Sequence, residues 1–450
     1  MAFRGCPAAS IILLTSSAVN SFGPCFARSS RRVFLLGRLK PGRARAVPSL
    51  WSATIFVVAL AAGIALRIEV FEVPHLEGDE RLYAALVDQL RSGQGYTLHG
   101  HPILSEPWVI REQYDTPLFY HPPAGIVWFA PFVALFGNRG LDVAQLAAFA
   151  VFLAGTMLLA REVVQEWTPG TAGAVALVSA ATPIVVHVSI HRWLDGPQVA
   201  AAAVAAWLLV RAAKIGTPSA AILAGLGWGA TCLVKLNAVL ALPGAAALAW
   251  VAAEDGEPRR KLRALLVTAG VAGAAVLPWL IAEHTTFGTI FPVWAGKPAA
   301  RLVAENPFVR HVTLVRTPWA YFRLLPQTEF TLVPSLAILA IARPAGRAGR
   351  VAAALVLWAG LIVGANVALG AIGYSKLLRY VVLIEPATVL LPMLALRSAR
   401  SWRDDGRRAA ASIATAALVV ACGLEVAQAV QIAYVYPQGA WIRPLLGRAW

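Results

Sequence analysis

Long apolar segments recur along most of this chain and restrict its fold more than any other feature. A helix needs about 20 predominantly apolar residues to cross a bilayer, and about eleven segments approach that length. Only 14% of the 450 residues are charged, whereas soluble domains carry roughly 25%. The composition excludes a soluble enzyme, a nucleic-acid-binding protein and a disordered protein, and it predicts an all-α polytopic membrane protein with about eleven transmembrane helices. The predicted spans are 51–68, 141–164, 171–188, 197–213, 220–234, 238–253, 264–282, 328–342, 351–371, 380–396 and 410–433.

Basic residues predict how these spans are oriented. The net charge of +16 is typical of a membrane protein whose Arg and Lys residues collect in cytoplasmic loops. With eleven spans and a cytoplasmic N-terminus, the short basic loops 254–263, 343–350 and 397–409 all lie inside. The apolar segment 123–136 is short for a span, and a twelfth span there would move all three loops outside. We therefore expect 123–136 to be an interfacial or re-entrant helix.

Several regions are expected to differ from the helices of the membrane domain at 51–433. Residues 1–50 contain eight Arg or Lys residues and no acid, which predicts a disordered basic segment. A cytoplasmic tail, a transit-like presequence and a start codon placed too early are all open explanations of it. Two large outer segments, 71–140 and 283–327, are the expected location of function. Residues 434–450 are predicted to form a short outer tail.

The first outer segment contains an acidic motif next to a predicted surface helix. Gly78 interrupts the chain, and Asp79 is expected to cap the helix that follows. Leu82, Leu86 and Leu90 recur at helical spacing, which predicts an amphipathic helix along the membrane surface. One interpretation of Asp79 is a helix cap. The other is a functional carboxylate at the outer end of the membrane bundle.

Polar side chains in two further outer segments are candidates for the same site. His121 precedes two prolines at the predicted water interface, where a structural hydrogen bond is an equally good explanation. The tight loop between the third and fourth spans contains His191, Arg192 and Asp195. In the predicted topology this loop is also external, so Asp195 shares the outer face with Asp79. A functional site explains this loop better than a simple connection does.

Cationic side chains are predicted on the same outer face. Lys235 interrupts a long apolar stretch, and Tyr374, Lys376 and Arg379 lie at the start of the tenth span. Arg binds phosphate bidentately and Lys binds it as a point charge, so these residues suit an anionic lipid head group. The alternative is that the cations anchor the chain by snorkelling to the interface.

Taken in order, these motifs resemble the GT-C superfamily of membrane glycosyltransferases. The resemblance covers about 51–400. Within the superfamily, the chain most resembles the protein O-mannosyltransferases and the lipid A aminoarabinose transferase, and it is similar to glycosyltransferase family 39. It implies a GT-C-type fold with amphipathic helices in the first outer loop. The residues that carry the resemblance are Gly78-Asp79-Glu80 with Tyr83, His121-Pro122-Pro123, Phe136-Gly137, Asp195, Arg379-Tyr380 and Glu385-Pro386.

The resemblance implies that a single sugar moves from a polyprenyl-phosphate donor to an acceptor at the outer membrane face. Asp79 matches the family's first-loop aspartate and would deprotonate the acceptor in an inverting displacement. Lys235 and Arg379 would stabilise the leaving lipid phosphate. Asp195 would bind the acceptor or a metal ion, or orient Asp79. Further candidates for substrate binding are Glu80, His121, His191, Arg192, Tyr374 and Lys376.

Cofactor, acceptor and cellular location are less constrained. The D-x-D or D-x-E pattern of metal-dependent families is absent at Asp195, which leaves the need for a divalent metal ion open. The acceptor is an unidentified lipid, glycan or protein, and membrane lipids but no nucleic acid are expected as partners. The predicted location is the inner membrane of a bacterium, with the active site facing the periplasm. The alternatives are a secondary transporter and a non-catalytic envelope-assembly protein, although the candidate groups lie at span ends and no internal repeat is visible.

Overall fold

The structure is a computed structural model that describes most of the membrane domain. Most of 1–50, the middle of 283–327 and most of 434–450 lie outside the described residues, so the predictions for these segments are untested. The described residues are 50–72, 78–109, 111–164, 166–254, 256–290, 319–371, 377–435 and 445.

Every regular element in the described part of the chain is helical, which confirms the predicted all-α class. Short 3-10 segments cover Ile68–Phe71, Pro102–Ser105, Gly137–Arg139, Leu236–Ala241 and Leu378–Ile384, and Gln431–Val435 is a π-helix. The α-helices are α1 (Leu50–Ala65), α2 (Gly78–Arg91), α3 (Arg111–Tyr114), α4 (Ala124–Phe136), α5 (Gly140–Val163), α6 (Pro169–Ala181), α7 (Pro183–Ser189), α8 (Asp195–Ile215), α9 (Pro218–Val234), α10 (Leu242–Ala252), α11 (Pro258–Phe287), α12 (Ala320–Thr328), α13 (Leu332–Ala342), α14 (Gly346–Ala371), α15 (Glu385–Thr388), α16 (Leu391–Asp404) and α17 (Arg408–Val430).

Helix length and composition identify a multi-pass membrane protein. Within the described residues, five stretches are long and apolar enough to cross a membrane, and three bent helix pairs raise this number to eight if each pair is one span. The bent pairs are α6–α7, α12–α13, and Leu378–Thr388 with α16, bent by 51°, 98° and 42°. Each predicted span coincides with a helix or a bent pair, while the number of eleven spans is not confirmed. The five stretches are Ala124–Val163, Asp195–Ile215, Pro258–Phe287, Gly346–Leu369 and Arg408–Val435.

The first of these stretches is a helical hairpin formed by α4 and α5. Trp128 Nε1 donates a hydrogen bond to Ala144 O at 3.2 Å. Gly140 lies against the backbone of Phe132, where a Cβ atom would come within 2.4 Å. Because the chain reverses at Gly137–Arg139, only the 24-residue α5 has the length of a typical span. The interfacial or re-entrant position expected for α4, with 13 residues, stays a prediction.

Short capping motifs connect neighbouring helices. The Thr168 side chain accepts a hydrogen bond from Thr171 N at 3.2 Å at the start of α6. The Thr217 side chain similarly accepts from Ala220 N at 3.4 Å at the start of α9. A proline follows each of these threonines, where its fixed φ favours the first helical position. Gly216, at φ +70°, ends α8 in the left-handed region, so one Gly-Thr-Pro run ends α8 and begins α9.

Two apolar cores hold the described helices together. The larger core fills the helix bundle, and the smaller one joins the first outer segment to α4 and the start of α5. Leu82, Phe119, Ile126 and Phe129 belong to the smaller core and are each at most 2% exposed. Burying one such side chain contributes about 1.5–3 kcal/mol. This core confirms the buried face of the predicted amphipathic helix α2 and fixes the position of Asp79.

Candidate active site

Two acid–base pairs form the centre of the site. Arg379 Nη2 donates to Asp79 Oδ2 at 2.5 Å, and Lys235 Nζ donates to Asp195 Oδ1 at 2.8 Å. The ring of Tyr380 lies next to both cations, because the Arg379 guanidinium is 5.4 Å and the Lys235 ammonium 5.5 Å from its centroid. The Asp79 side chain is 32% exposed and therefore accessible. The other three charged side chains are mostly buried.

Helix ends bring these four charged side chains together. α2 begins at Gly78, so Asp79 lies in the first turn and not at the N-cap that the sequence predicts. Asp195 is the first residue of α8, and Lys235 directly follows α9. Arg379 lies in the 3-10 segment that precedes α15. Both carboxylates therefore lie at helix N-termini, where the helix dipole favours negative charge.

A network of stacked side chains connects Arg379 to Glu80, the residue that follows Asp79. The Arg379 guanidinium lies 4.2 Å from the centroid of the Trp193 ring. The Trp193 ring also stacks on His191, at 4.1 Å between centroids and 13° between planes. His191 Nδ1 lies 3.1 Å from Glu80 Oε1. Asp79 bonds to Arg379 and Glu80 contacts His191, and both Arg379 and His191 pack against Trp193.

Buried polar contacts hold the loop that contains Trp193. Arg192 donates to both carboxylate oxygens of Asp142, at 2.6 and 2.8 Å, and its backbone N–H donates to Glu80 at 2.9 Å. Gln145 Nε2 donates to the carbonyl oxygen of Trp193 at 2.7 Å. Asp142 and Gln145 belong to the first turns of α5. The predicted substrate-binding residues Glu80 and Arg192 therefore also fix this loop against α2 and α5.

Aromatic side chains pack around His121. Its ring centroid lies 4.2 Å from that of Tyr120 and 6.2 Å from that of Tyr83. The Tyr96 hydroxyl lies 3.0 Å from the carbonyl oxygen of His121 and 3.1 Å from that of Pro122, and it donates to one of them. These contacts fix both the ring and the backbone of His121.

Burial and neighbouring charges determine the protonation of His121 and Asp79. Burial and, after it, the positive charge of Lys235 lower the pKa of His121 to about 3, despite the opposing negative charges of Asp79 and Asp195. Burial raises the pKa of Asp79, but the charge and hydrogen bond of Arg379, helped by Lys235, outweigh burial and bring it below the ordinary value of 3.8. At neutral pH, His121 is therefore neutral and Asp79 is an ionised hydrogen-bond acceptor.

The structure groups most of the residues that the sequence predicts for the site. Asp79, His121, Asp195, Lys235 and Arg379 lie close enough for their charges to interact. The adjoining network around Trp193 contains Glu80, His191 and Arg192. The predicted residues Tyr374 and Lys376 lie outside the described residues, so their placement is untested.

Several buried acids are not among the site residues that the sequence predicts, although Glu385 is one of the residues that carry the resemblance. Glu329, Glu385 and Glu425 are each at most 3% exposed. Glu425 Oε1 accepts from Thr331 N at 2.9 Å, and Glu329 Oε1 accepts from Ile184 N at 3.0 Å. These N–H groups lie at the starts of α13 and α7, where the broken helices leave backbone donors unpaired. A lone acid inside an apolar segment is the sequence signal that could have identified them.

The charged groups of the site are organised as pairs of opposite sign. In the part of the chain that the structure describes, no three or more His, Cys, Asp and Glu side chains are grouped so that they could hold a metal ion. Asp79 and Asp195 each bond to a cationic side chain. Such cations can exchange a carboxylate partner for a phosphate, which offers the same kind of anionic oxygen.

A protein-family model matches part of this chain. Residues 120–281 match the family described as dolichyl-phosphate-mannose-protein mannosyltransferase. The matched region contains His121, Asp195 and Lys235, while Asp79 and Arg379 lie outside it. No curated protein matches the sequence.

Solved membrane-enzyme structures are similar over most of this chain. The archaeal oligosaccharyltransferase AglB from Archaeoglobus fulgidus, in complex with an inhibitory peptide and a dolichol-phosphate, matches with a TM-score of 0.53 and 13% identity. ArnT from Cupriavidus metallidurans bound to undecaprenyl phosphate matches with a TM-score of 0.52 and 19% identity, and its apo state with 0.51 and 20%. These matches cover 85%, 83% and 85% of this chain. They cover 56%, 64% and 65% of the other chains, so this chain spans less than two thirds of their length.

These comparisons settle the fold. AglB and ArnT are both members of the GT-C superfamily, and the matched mannosyltransferase family belongs to it as well. The chain has the GT-C fold. The resemblance that the sequence predicts is thereby confirmed.

Proposed function

We propose that this protein is a glycosyltransferase that moves a single sugar from a polyprenyl-phosphate donor to an acceptor. The observation that supports this function most directly is the accessible Asp79 carboxylate bonded to Arg379, with Lys235 beside it. This arrangement places an ionised carboxylate, which can take up a proton, next to two cations. Displacement of a lipid phosphate by a hydroxyl or amine needs both kinds of group.

Lys235 and Arg379 are proposed to bind the donor phosphate. In the described arrangement the two cations are matched by Asp79 and Asp195, so the four groups carry no net charge. A sugar phosphodiester carries one negative charge, and the leaving lipid phosphate gains a second when the sugar–oxygen bond breaks. Cations already held in place by carboxylates and by the Tyr380 ring can stabilise that charge without large rearrangement.

Asp79 is proposed to act as the general base. Its Oδ2 atom accepts from Arg379, and Oδ1 is the oxygen proposed to take the proton of the acceptor. The depressed pKa of Asp79 keeps it ionised, although a low pKa also makes it a weaker base. The carboxylate would therefore take the proton as the acceptor oxygen or nitrogen bonds to the anomeric carbon, and not before.

The proposed displacement inverts the anomeric centre. In a single direct displacement the acceptor bonds to the anomeric carbon on the face opposite the bond to the phosphate. Asp79 is proposed to take the proton of the acceptor while the phosphate leaves toward Lys235 and Arg379, which itself bonds to Asp79. Asp195, bonded to Lys235 at 2.8 Å, is proposed to hold this lysine. That contact gives it a more specific role than binding the acceptor or orienting Asp79, which are the alternatives from the sequence.

The outer face of a bacterial inner membrane is the proposed location of the reaction. The acceptor is proposed to be a lipid, a glycan or a protein with a nucleophilic hydroxyl or amine. AglB is an oligosaccharyltransferase that was solved with a peptide, and ArnT was solved with undecaprenyl phosphate. These neighbours support a polyprenyl-phosphate donor and leave the class of acceptor to experiment.

Detergent-purified protein incubated with a panel of polyprenyl-phosphate sugars and acceptors tests the proposed function. Mass spectrometry would follow release of free polyprenyl phosphate, and NMR would assign the anomeric configuration of the product. We expect release with at least one donor and a product of opposite anomeric configuration. Retention of configuration would contradict direct displacement. Transport of a donor without any release of lipid phosphate would favour a transporter, and neither activity would favour a non-catalytic protein.

A further inference from the structure

Gln198 is a buried polar residue of α8 that the proposed mechanism does not use. It lies near the start of the helix, three positions after Asp195, and its side chain is fully buried. Helix residues three positions apart are neighbours on the helix surface. Gln198 therefore lies beside the carboxylate that bonds to Lys235.

The amide of Gln198 contacts the segment that contains Lys235. Its Nε2 atom donates to the backbone carbonyl oxygen of Lys235 at 3.1 Å and to Asn237 Oδ1 at 2.6 Å. The same carbonyl oxygen accepts from Ala238 N at 3.1 Å. The Lys235 carbonyl thus has one donor from α8 and one from its own 3-10 segment.

Lys235 lies at a break between two helices, where such support matters. α9 ends at Val234, and Lys235 is extended, with φ −155° and ψ 127°, before the 3-10 segment that begins at Leu236. Backbone groups at a helix end lack the regular partners of the helix interior. The ammonium of a lysine is also separated from its backbone by a flexible four-carbon stem. A backbone that shifted at this break would therefore move the ammonium away from Asp195.

We propose that Gln198 is a positioning residue that fixes the backbone of Lys235, so that the ammonium is held where the donor phosphate binds. This inference rests on the proposed function and extends it. Asp195 contacts the ammonium and Gln198 contacts the carbonyl, so the start of α8 holds both ends of Lys235. The bond from Gln198 does not involve the ammonium, and it persists when a phosphate replaces Asp195 as the partner of the ammonium.

A simple link between α8 and α9 is the alternative role of Gln198. Small residues already pack these two helices closely, since a Cβ at Gly227 would come within 3.5 Å of Ala205 Cα. Burying an amide costs free energy unless it is hydrogen-bonded, so an apolar side chain would join the helices equally well. The amide is needed where its donor group is used, at the Lys235 carbonyl.

A double-mutant cycle with Lys235 distinguishes positioning from a general effect on the fold. The proteins are wild type, Gln198→Met, Lys235→Met and the double variant, and the assay is the Kd of undecaprenyl phosphate and of undecaprenol, which lacks the phosphate. Methionine is close to glutamine in length but cannot donate. Loss of the bond to Lys235 should weaken binding of undecaprenyl phosphate roughly three- to tenfold and leave undecaprenol unaffected. In Lys235→Met protein, Gln198→Met should have no further effect.

Thr268→Val is the matched control. Thr268 is 1% exposed, and its hydroxyl donates to the carbonyl oxygen of Ala221 at 3.1 Å. This change therefore also removes a buried hydrogen bond to the α9 backbone, but near the opposite end of the helix from Lys235. It should lower the unfolding temperature and leave the affinity for undecaprenyl phosphate unchanged. Gln198→Asn, whose amide is one methylene shorter, replaces Gln198→Met if that variant does not fold.

Amine labelling measures the position of Lys235 without any lipid. Reductive methylation of the purified full-length protein, followed by peptide mass spectrometry, gives the labelling rate of Lys235 relative to Lys214, whose side chains are 12% and 29% exposed. A lysine whose backbone is less firmly held leaves Asp195 more often and reacts faster. Gln198→Met should raise the relative rate roughly three- to tenfold, and Thr268→Val should not.

Several results would overturn the positioning role of Gln198. These are unchanged affinity in Gln198→Met, an equal effect of Gln198→Met with and without Lys235, equal losses of affinity in Gln198→Met and Thr268→Val, and an unchanged labelling rate of Lys235. If Lys235→Met binds undecaprenyl phosphate as tightly as wild type, the proposed phosphate-binding role of Lys235 is contradicted instead. The labelling rate then still decides whether Gln198 holds this lysine.

Discussion

Replacing Trp193 with Leu tests whether the stacked ring positions Arg379 for phosphate binding. The Arg379 side chain is 8% exposed, and its guanidinium lies 4.2 Å from the Trp193 ring. A desolvated cation–π contact of this kind contributes about 2 kcal/mol. If that energy holds Arg379 in its phosphate-binding position, Trp193→Leu should weaken binding of undecaprenyl phosphate by roughly thirtyfold.

The matched control is Trp228→Leu, because Trp193 and Trp228 are both fully buried. Loss of a large core side chain costs either variant at most about 3–5 kcal/mol in stability. Trp193 packs against Arg379, whereas no such contact is described for Trp228. The assay is the Kd of undecaprenyl phosphate in detergent, alongside the thermal unfolding temperature. Trp193→Phe, which retains an aromatic face, should recover part of the affinity.

Either of two results would refute this reasoning. Equal loss of affinity in Trp193→Leu and Trp228→Leu would mean that general destabilisation, and not stacking, causes the change. Unchanged affinity in a folded Trp193→Leu protein would mean that Asp79 and Tyr380 are sufficient to hold Arg379.

Other contacts of the site give predictions about stability. Because the pKa of Asp79 lies below its ordinary value of 3.8, the Asp79–Arg379 pair stabilises the fold above that value and loses this effect as the pH falls through the depressed pKa. The unfolding temperatures of wild type and Asp79→Asn should therefore differ by a constant amount from about pH 8 to pH 5; a difference that disappears near pH 6 contradicts the assignment. Arg192→Lys removes the bidentate contact with Asp142 and should lower stability by about 1–2 kcal/mol, so an unchanged unfolding temperature would be evidence against it. Gly196→Ala places a Cβ 2.2 Å from Gln145 Oε1 and should disrupt the bond from Gln145 to Trp193, at about 1–3 kcal/mol; Gly273→Ala, which meets no atom within 4 Å, is the control that should not destabilise.

The helices were predictable because hydropathy is a local property of the sequence. Each predicted span coincides with a helix or a bent pair, since about 20 apolar residues in a row leave few alternatives. The bends were not predictable in this way. The 98° bend between α12 and α13 is stabilised by Glu425, which accepts from Thr331 N about ninety residues earlier in the chain.

The candidate site was predictable as a set of residues but not as a set of pairs. The predicted topology places Asp79, Asp195, Lys235 and Arg379 on one face, and the structure groups these residues. Which acid bonds to which cation depends on helix packing, because Asp79 and Arg379 are 300 positions apart. The start of α2 differs from the prediction, because Gly78 is itself helical and Asp79 lies in the first turn. A Cβ at Gly78 would come within 2.9 Å of the Trp108 ring, which favours glycine at this position.

A comparison of Asp79→Asn with Asp88→Asn tests the central claim most directly. Both residues belong to α2, but Asp88 is exposed and Asp79 bonds to Arg379. The rate of polyprenyl-phosphate release would be measured for wild type and both variants, each checked for an intact fold. We expect Asp79→Asn to lose roughly 100-fold or more of the rate and Asp88→Asn to retain it. Equal rates in Asp79→Asn and wild type would contradict Asp79 as the base.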